Sequence, residues 1–115
     1  MRITALLVPL FLAACATIDH QRVEGWPQLE VVEHRVPAEE MMQRCRKYAG
    51  FGAIPLACAE FNLEARRCDI WLSKGFAPQT IVEHERLHCA GYDHVGSTGM
   101  RELLARYQAA AGASR

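Results

Sequence analysis

The chain has 115 residues, half of them hydrophobic, and its 13 Lys plus Arg are balanced by 13 Asp plus Glu. A length of this order carries one hydrophobic core. The even charge removes the basic field that nucleic-acid binding needs and the acidic excess of a disordered, solvating chain, so no nucleic-acid partner is expected.

The N-terminus reads as a targeting segment. Met1-Arg2 gives a short positive start, Ile3 to Leu12 is almost wholly apolar, and Leu12-Ala13-Ala14-Cys15 follows. This apolar run is far short of the roughly 20 residues that span a bilayer as a helix, and small residues at its end have the form of a cleavage site. The quartet resembles the lipobox of bacterial lipoproteins. That resemblance implies a signal peptide over residues 1–14, acylation of Cys15, and a membrane anchor in the cell envelope facing the periplasm. Ala16, in place of an aspartate, points to the outer membrane. An ordinary secretory signal with an incidental cysteine is the alternative.

Residues 15–25 are polar and aperiodic and read as a lipid-anchored tether. His20, within it, is expected to be solvated, not a ligand. The folded domain is expected over 26–112, with Trp26 as a packing anchor. Leu29 to Val36 is rich in β-branched residues and reads as a strand ended by Pro37, with His34 a half-buried strand residue. From Ala38 to Tyr48 the period becomes helical: Met41, Met42, Cys45 and Tyr48 share a face, Glu39 and Glu40 open it, Arg46 and Lys47 close it, and Gly50 follows. Phe51 to Leu56 is a loop. Ala57 to Leu63 and Arg67 to Leu72, separated by Glu64-Ala65-Arg66, suggest a β-hairpin.

Pro78 suits the first turn of a helix, whose back Ile81, Val82 and Leu87 are expected to bury. Beyond a loop at Val95 to Gly99, Met100, Leu103, Leu104 and Tyr107 form an i, i+3, i+4, i+7 stripe, which predicts a C-terminal helix fraying from Ala109. The whole is an α+β pattern: a small antiparallel or mixed sheet packed on an N-terminal helix and a second helix, closed by a third.

Five cysteines are an awkward number for an exported protein. Setting Cys15 aside for the lipid leaves Cys45, Cys58, Cys68 and Cys89, enough for two disulfides in an oxidising compartment. Three connectivities are possible; Cys58 with Cys68 across the hairpin and Cys45 with Cys89 between helices is the expected one.

The chemistry concentrates in His84 to His94, HERLHCAGYDH, which spells H-E-x-x-H-x-x-G-x-x-H. On a helix His84 and His88 project from one face, so two imidazoles can meet one ion, with Glu85 beside them. A continuing helix would carry His94 about 240° round and about 9 Å along. Gly91 sits where the chain must turn, and glycine takes the left-handed conformation that ends helices. H-E-x-x-H alone would arise in about 2 of 100 chains shuffled at this composition; two further fixed positions make the full pattern far rarer. Three neutral imidazoles with a fourth position left for water match a catalytic zinc, whereas structural sites close with four protein ligands.

The eleven residues resemble the extended motif of the metzincin clan of zinc metallopeptidases. The resemblance implies a minimal zincin-like fold, one zinc ion per chain on His84, His88 and His94, Glu85 as general base, and hydrolysis of a peptide or protein substrate. A strand before the metal helix, similarly placed to Arg67 to Leu72, would hold that substrate by edge pairing. Two departures stand: the only methionine after the motif is Met100, close to it, and the chain is short. Tyr92 and Tyr107 are the candidates for oxyanion stabilisation. The competing expectations are a non-catalytic, zinc-stabilised envelope lipoprotein acting as a binding module, and a disulfide-bonded lipoprotein without metal.

Overall fold

The computed structural model describes residues 19–49 and 52–114; the expected signal peptide over 1–14, Cys15, Gly50 and Phe51 lie outside the described residues. The elements run β1 (His20–Arg22), β2 (Glu30–Val36), α1 (Ala38–Cys45), β3 (Ala57–Asn62), β4 (Arg67–Ser73), α2 (Gln79–Cys89), β5 (Tyr92–His94) and α3 (Gly99–Ala113). They form an α+β domain with a mixed sheet in the order β2-β4-β3 and an antiparallel ribbon of β1 with β5. None of the described helices is long and apolar enough to cross a membrane.

Strand β4 organises the packing through its alternation. Cys68, Ile70 and Leu72 are fully buried on one face, where Val82 and Cys89 of α2 and Met100 and Leu104 of α3 join Trp26, Leu29 and Leu63 in the main core. Trp71 points to the other face and packs with Met41, Cys45 and Cys58 under α1. Strand β2 runs parallel to β4 on one side, and β3 antiparallel on the other. The expected hairpin of β3 and β4 is present, but β4 has both edges paired. It therefore cannot accept a substrate strand; among the described residues the sheet edge next to α2 belongs to β3.

The disulfides pair Cys45 with Cys58 and Cys68 with Cys89, not in the expected connectivity. The hairpin register explains why. Cys58 lies opposite Trp71 and Cys68 opposite Phe61, so the two cysteines are not cross-strand partners and face opposite sides of the sheet. Cys45 and Cys89 sit on helices that the sheet separates. Each bridge instead stitches a helix to a strand, α1 to β3 and α2 to β4. Closing loops of 13 and 21 residues stabilises by about 3 kcal/mol apiece in the chain-entropy account.

Smaller differences follow from local geometry. The first helix ends at Cys45 and tightens into a 3-10 turn over Arg46–Tyr48. In α2 the buried stripe is Val82, Glu85 and Cys89, spaced i, i+3, i+7. Leu87 falls off it and is exposed. Helix α3 keeps its hydrogen bonding to Ala113 instead of fraying from Ala109.

The expected tether is folded from its middle onward. His20, Gln21 and Arg22 lie opposite His94, Asp93 and Tyr92. Val95 N–H donates to the Asp19 carbonyl at 3.0 Å and Val23 N–H to the Gly91 carbonyl at 2.8 Å, extending the ladder at both ends. Gln21 Nε2 adds bonds to the carbonyls of His94 and Ser97.

Candidate metal centre

Helix α2 brings the first two imidazoles together. His84 and His88 are one turn apart, and their Nε2 atoms stand 3.1 Å from each other. His88 Nδ1 lies 2.7 Å from the Tyr92 carbonyl oxygen, which can only accept; the ring therefore donates Nδ1–H and keeps its Nε2 lone pair free. A second bond of this kind orients metal-binding histidines and fixes their tautomer.

The third imidazole depends on how the helix stops. Gly91 has φ +99°, and a Cβ there would lie 2.8 Å from Cβ, Cγ and Cδ1 of Trp26. Conformation and space both require glycine. The Trp26 ring that occupies the space also donates Nε1–H to the Cys89 carbonyl at 3.1 Å, satisfying an end group of α2. The chain turns into β5, and His94 Nε2 reaches 3.1 Å from His84 Nε2. Its ring centroid is 5.0 Å from that of His84 and 4.7 Å from that of His88.

Asp93 holds this return in place. It is buried, and its carboxylate accepts the N–H of His94 at 2.8 Å and of Met100 at 3.1 Å. The first turn of α3 is thereby tied to the strand that carries His94. Burial pushes the Asp93 pKa up, but the bonds from Met100, His94 and Ser97 outweigh it and hold the carboxyl below its usual range.

A fourth imidazole completes the group. His20 faces His94 across the ribbon, and one ring nitrogen from each of His20, His84, His88 and His94 lies within 4.8 Å of the others. Its ring centroid is 4.9 Å from that of His84 and 5.6 Å from those of His88 and His94. His20 was expected to be solvated. Its Nε2 is instead buried with no hydrogen-bond partner among the described residues. Nothing in the spacing of the motif points to it, because its place is set by strand pairing with a remote segment.

These residues fit a metal ion. A tetrahedral zinc with Zn–N of about 2.0–2.1 Å separates its ligands by about 3.4 Å, close to the 3.1 Å between the nitrogens here. Burial, followed by the neighbouring His88, His94 and His20, pushes the His84 pKa from 6.5 down to about 4, and burial also lowers that of His88. Both rings are therefore neutral at pH 7, as metal ligands must be.

Glu85 points into the same region. It is buried, and burial raises its pKa from 4.5 to about 7. His84, Glu85, His88 and His94 line an open cleft of about 660 Å³ together with β3 residues Ala57, Cys58, Ala59 and Phe61. Met100 forms part of the wall, as do Tyr48 and Arg106, neither of which the sequence marked as a site residue. Tyr92 and Tyr107 do not line it; Tyr107 packs on the core. His34 is remote from the group, bonded to Asp69 at 2.6 Å and stacked on Trp71, as expected of a half-buried strand residue.

The residues that can hold a metal are thus two from α2, one from β5 and one from β1. Neither family models, nor curated proteins, nor solved structures give a match to this chain.

Proposed function

We propose that the chain is a zinc-dependent metallopeptidase of the bacterial cell envelope, similar at its motif to the metzincins. In this reading His84, His88 and His94 hold one zinc ion and Glu85 is the general base. The observation that carries the proposal is the convergence of three imidazole Nε2 atoms on a cleft whose wall also contains a buried carboxyl group. Zinc so held would supply Lewis-acid polarisation of a carbonyl and a lowered pKa for water.

The chain's own residues supply the rest. A carboxyl with a pKa near 7 can take a proton from water and return it to a leaving amine at neutral pH. Strand β3, at the sheet edge beside the cleft, offers backbone groups to an extended peptide, the role first expected of Arg67 to Leu72. Met100, buried in the first turn of α3, lines the same cleft as the histidines. A lipid on Cys15 would hold this site near the membrane: β1 begins at His20, and five residues span at most about 18 Å.

The test is Glu85→Gln. Metal content is expected to stay at one per chain while digestion of a peptide library falls by about 10²-fold or more, the scale of general acid–base catalysis. Substantial residual turnover would sink this assignment. One observation favours the reading as a non-catalytic, zinc-stabilised binding module: a fourth imidazole stands beside the three, and four protein ligands are the mark of structural zinc. On that reading wild type cleaves nothing and the substitution changes little.

A further inference from the structure

We propose that His20 is a fourth protein ligand to the metal, so that strand β1 is a clasp which closes the site when docked and opens it when released. The inference rests on the reading of His84, His88 and His94 as the metal-binding set, and goes beyond it by assigning the state in which those three are found. Three independent features support it.

The first is an unpaid hydrogen bond. His20 Nε2 is buried and has no partner among the described residues, a condition that is unfavourable unless something answers the nitrogen. A ring nitrogen of each of the other three imidazoles lies within 4.8 Å of one on this ring, and a cation satisfies all of them together. The second is register. His20 is directly opposite His94 in an antiparallel pair, and opposite residues project from the same face of a ribbon. Pairing of β1 with β5 in this register brings the two rings to the same side, where one ion can meet both.

The third is the direction of approach. His84, His88 and His94 line the cleft and His20 does not. A fourth nitrogen can therefore reach the ion from the ribbon side without filling the space where a peptide would lie. With four protein nitrogens the coordination of a structural zinc is complete, and no position is left for water. Release of β1 removes His20 and restores three imidazoles with an open position. The clasp is short: three residue pairs, with one flanking backbone bond at each end. Two-stranded ribbons of this size are marginal by themselves, so β1 can detach while the disulfide-stitched sheet stays folded.

The experiment uses the full chain loaded with cobalt(II), whose visible spectrum reports the number and type of ligands. His20→Ala is expected to keep one metal per chain, to weaken affinity by at least about 10-fold, the lower bound for removing even an outer-shell partner, and to change the cobalt bands. Peptide turnover should rise. His20→Cys is the second variant: a thiolate at this position should add an intense near-ultraviolet charge-transfer band, which appears only if residue 20 touches the ion. Unchanged affinity and cobalt bands in His20→Ala, with no new band in His20→Cys, would overturn the assignment of His20 while leaving the three-histidine site intact. Altered bands with no gain in turnover would overturn the clasp. If wild type binds no cobalt, or His88→Ala binds it as well as wild type, the underlying reading fails as well.

Discussion

The three-stranded sheet and the two-stranded ribbon draw on different sources of stability. The sheet buries Cys68, Ile70 and Leu72 completely, is covered by helices on both faces, and is stitched to α1 and α2 by disulfides. The ribbon has three residue pairs, and His20, Arg22 and His94 are half-buried or exposed. Its ladder is held chiefly by what the ends of each strand are tied to: Gly91, Asp93 and the four imidazoles. The sheet is expected to stand without a ligand, whereas on the proposed reading the ribbon acquires its rigidity from a metal. On the proposed reading, a site that admits substrate is thus placed where the structure is least able to hold itself closed.

The sharpest way to break this division is at Gly91, where the rigid part hands over to the ribbon. Gly91→Ala adds a Cβ at a positive φ and sets it 2.8 Å from three atoms of Trp26. Strain at such a position together with overpacking amounts to about 3 kcal/mol. The expected result in urea denaturation is a loss of this size, with metal affinity falling in parallel as His94 is displaced. A loss under about 1 kcal/mol would show that the turn is less constrained than the contact with Trp26 implies.

Removing the metal should separate the two sheets in a single experiment. At a free metal concentration 1,000 times its Kd, the ion stabilises the state that binds it by about 4 kcal/mol, which is about 1,000-fold in exchange protection. With chelator, the amides of Val23 and Val95 at the ribbon ends are expected to lose protection on this scale while those of Ile70 and Leu72 keep theirs. Uniform loss across both sheets would sink the distinction. Acid sharpens the test in the metal-free protein. The His84 pKa is lowered from 6.5 to about 4 in the folded state, so between these values the unfolded chain binds more protons. The contribution of His84 therefore rises with pH through this window, whereas Glu85, raised from 4.5 to about 7, contributes with the opposite sign; in Glu85→Gln, which removes that opposing group, stability is expected to fall as pH is taken from about 6.5 towards 4.

What was legible in the sequence divides along the same line. Strands β2, β3 and β4 and helices α1, α2 and α3 each run long enough for a period to declare itself, and Pro37 and Pro78 mark where α1 and α2 begin. Three of the four clustered histidines could be read because their spacing is local to one helix and one turn. Strands β1 and β5 are three residues each, too short for alternation to be told from chance. Their pairing joins the start of the described chain to the strand that follows α2, and His20 becomes a neighbour of His94 only through it. The disulfide connectivity was missed for a related reason. Which face Cys58 and Cys68 take depends on the register of a hairpin, and a one-residue slip exchanges the faces. The central place of β4 depends on its parallel partner β2, which no local pattern announces.

The two histidines outside the motif provide the finest comparison, since both were expected to have no part in metal binding and only one stands with the cluster. His34 lies in β2, with Nε2 2.6 Å from Asp69 Oδ1 and its ring stacked on Trp71 at 4.0 Å. The Arg44 guanidinium carbon lies over the same indole at 3.9 Å. Arg67 donates to the same carboxylate and, ahead of His34, holds the Asp69 pKa below its usual range. All the partners of His34 are thus supplied by the rigid sheet and α1. His34→Gln is expected to cost about 1 kcal/mol, the scale of one partly exposed hydrogen bond and its stacking, equally with and without metal, and to leave metal affinity unchanged. His20→Ala should do the reverse, altering metal affinity while barely moving the stability of the chelated protein. Paired denaturation curves and metal titrations of the two variants read this directly, and a loss of metal affinity in His34→Gln would show that the sheet and the ribbon are coupled more tightly than their separate hydrogen-bond networks allow.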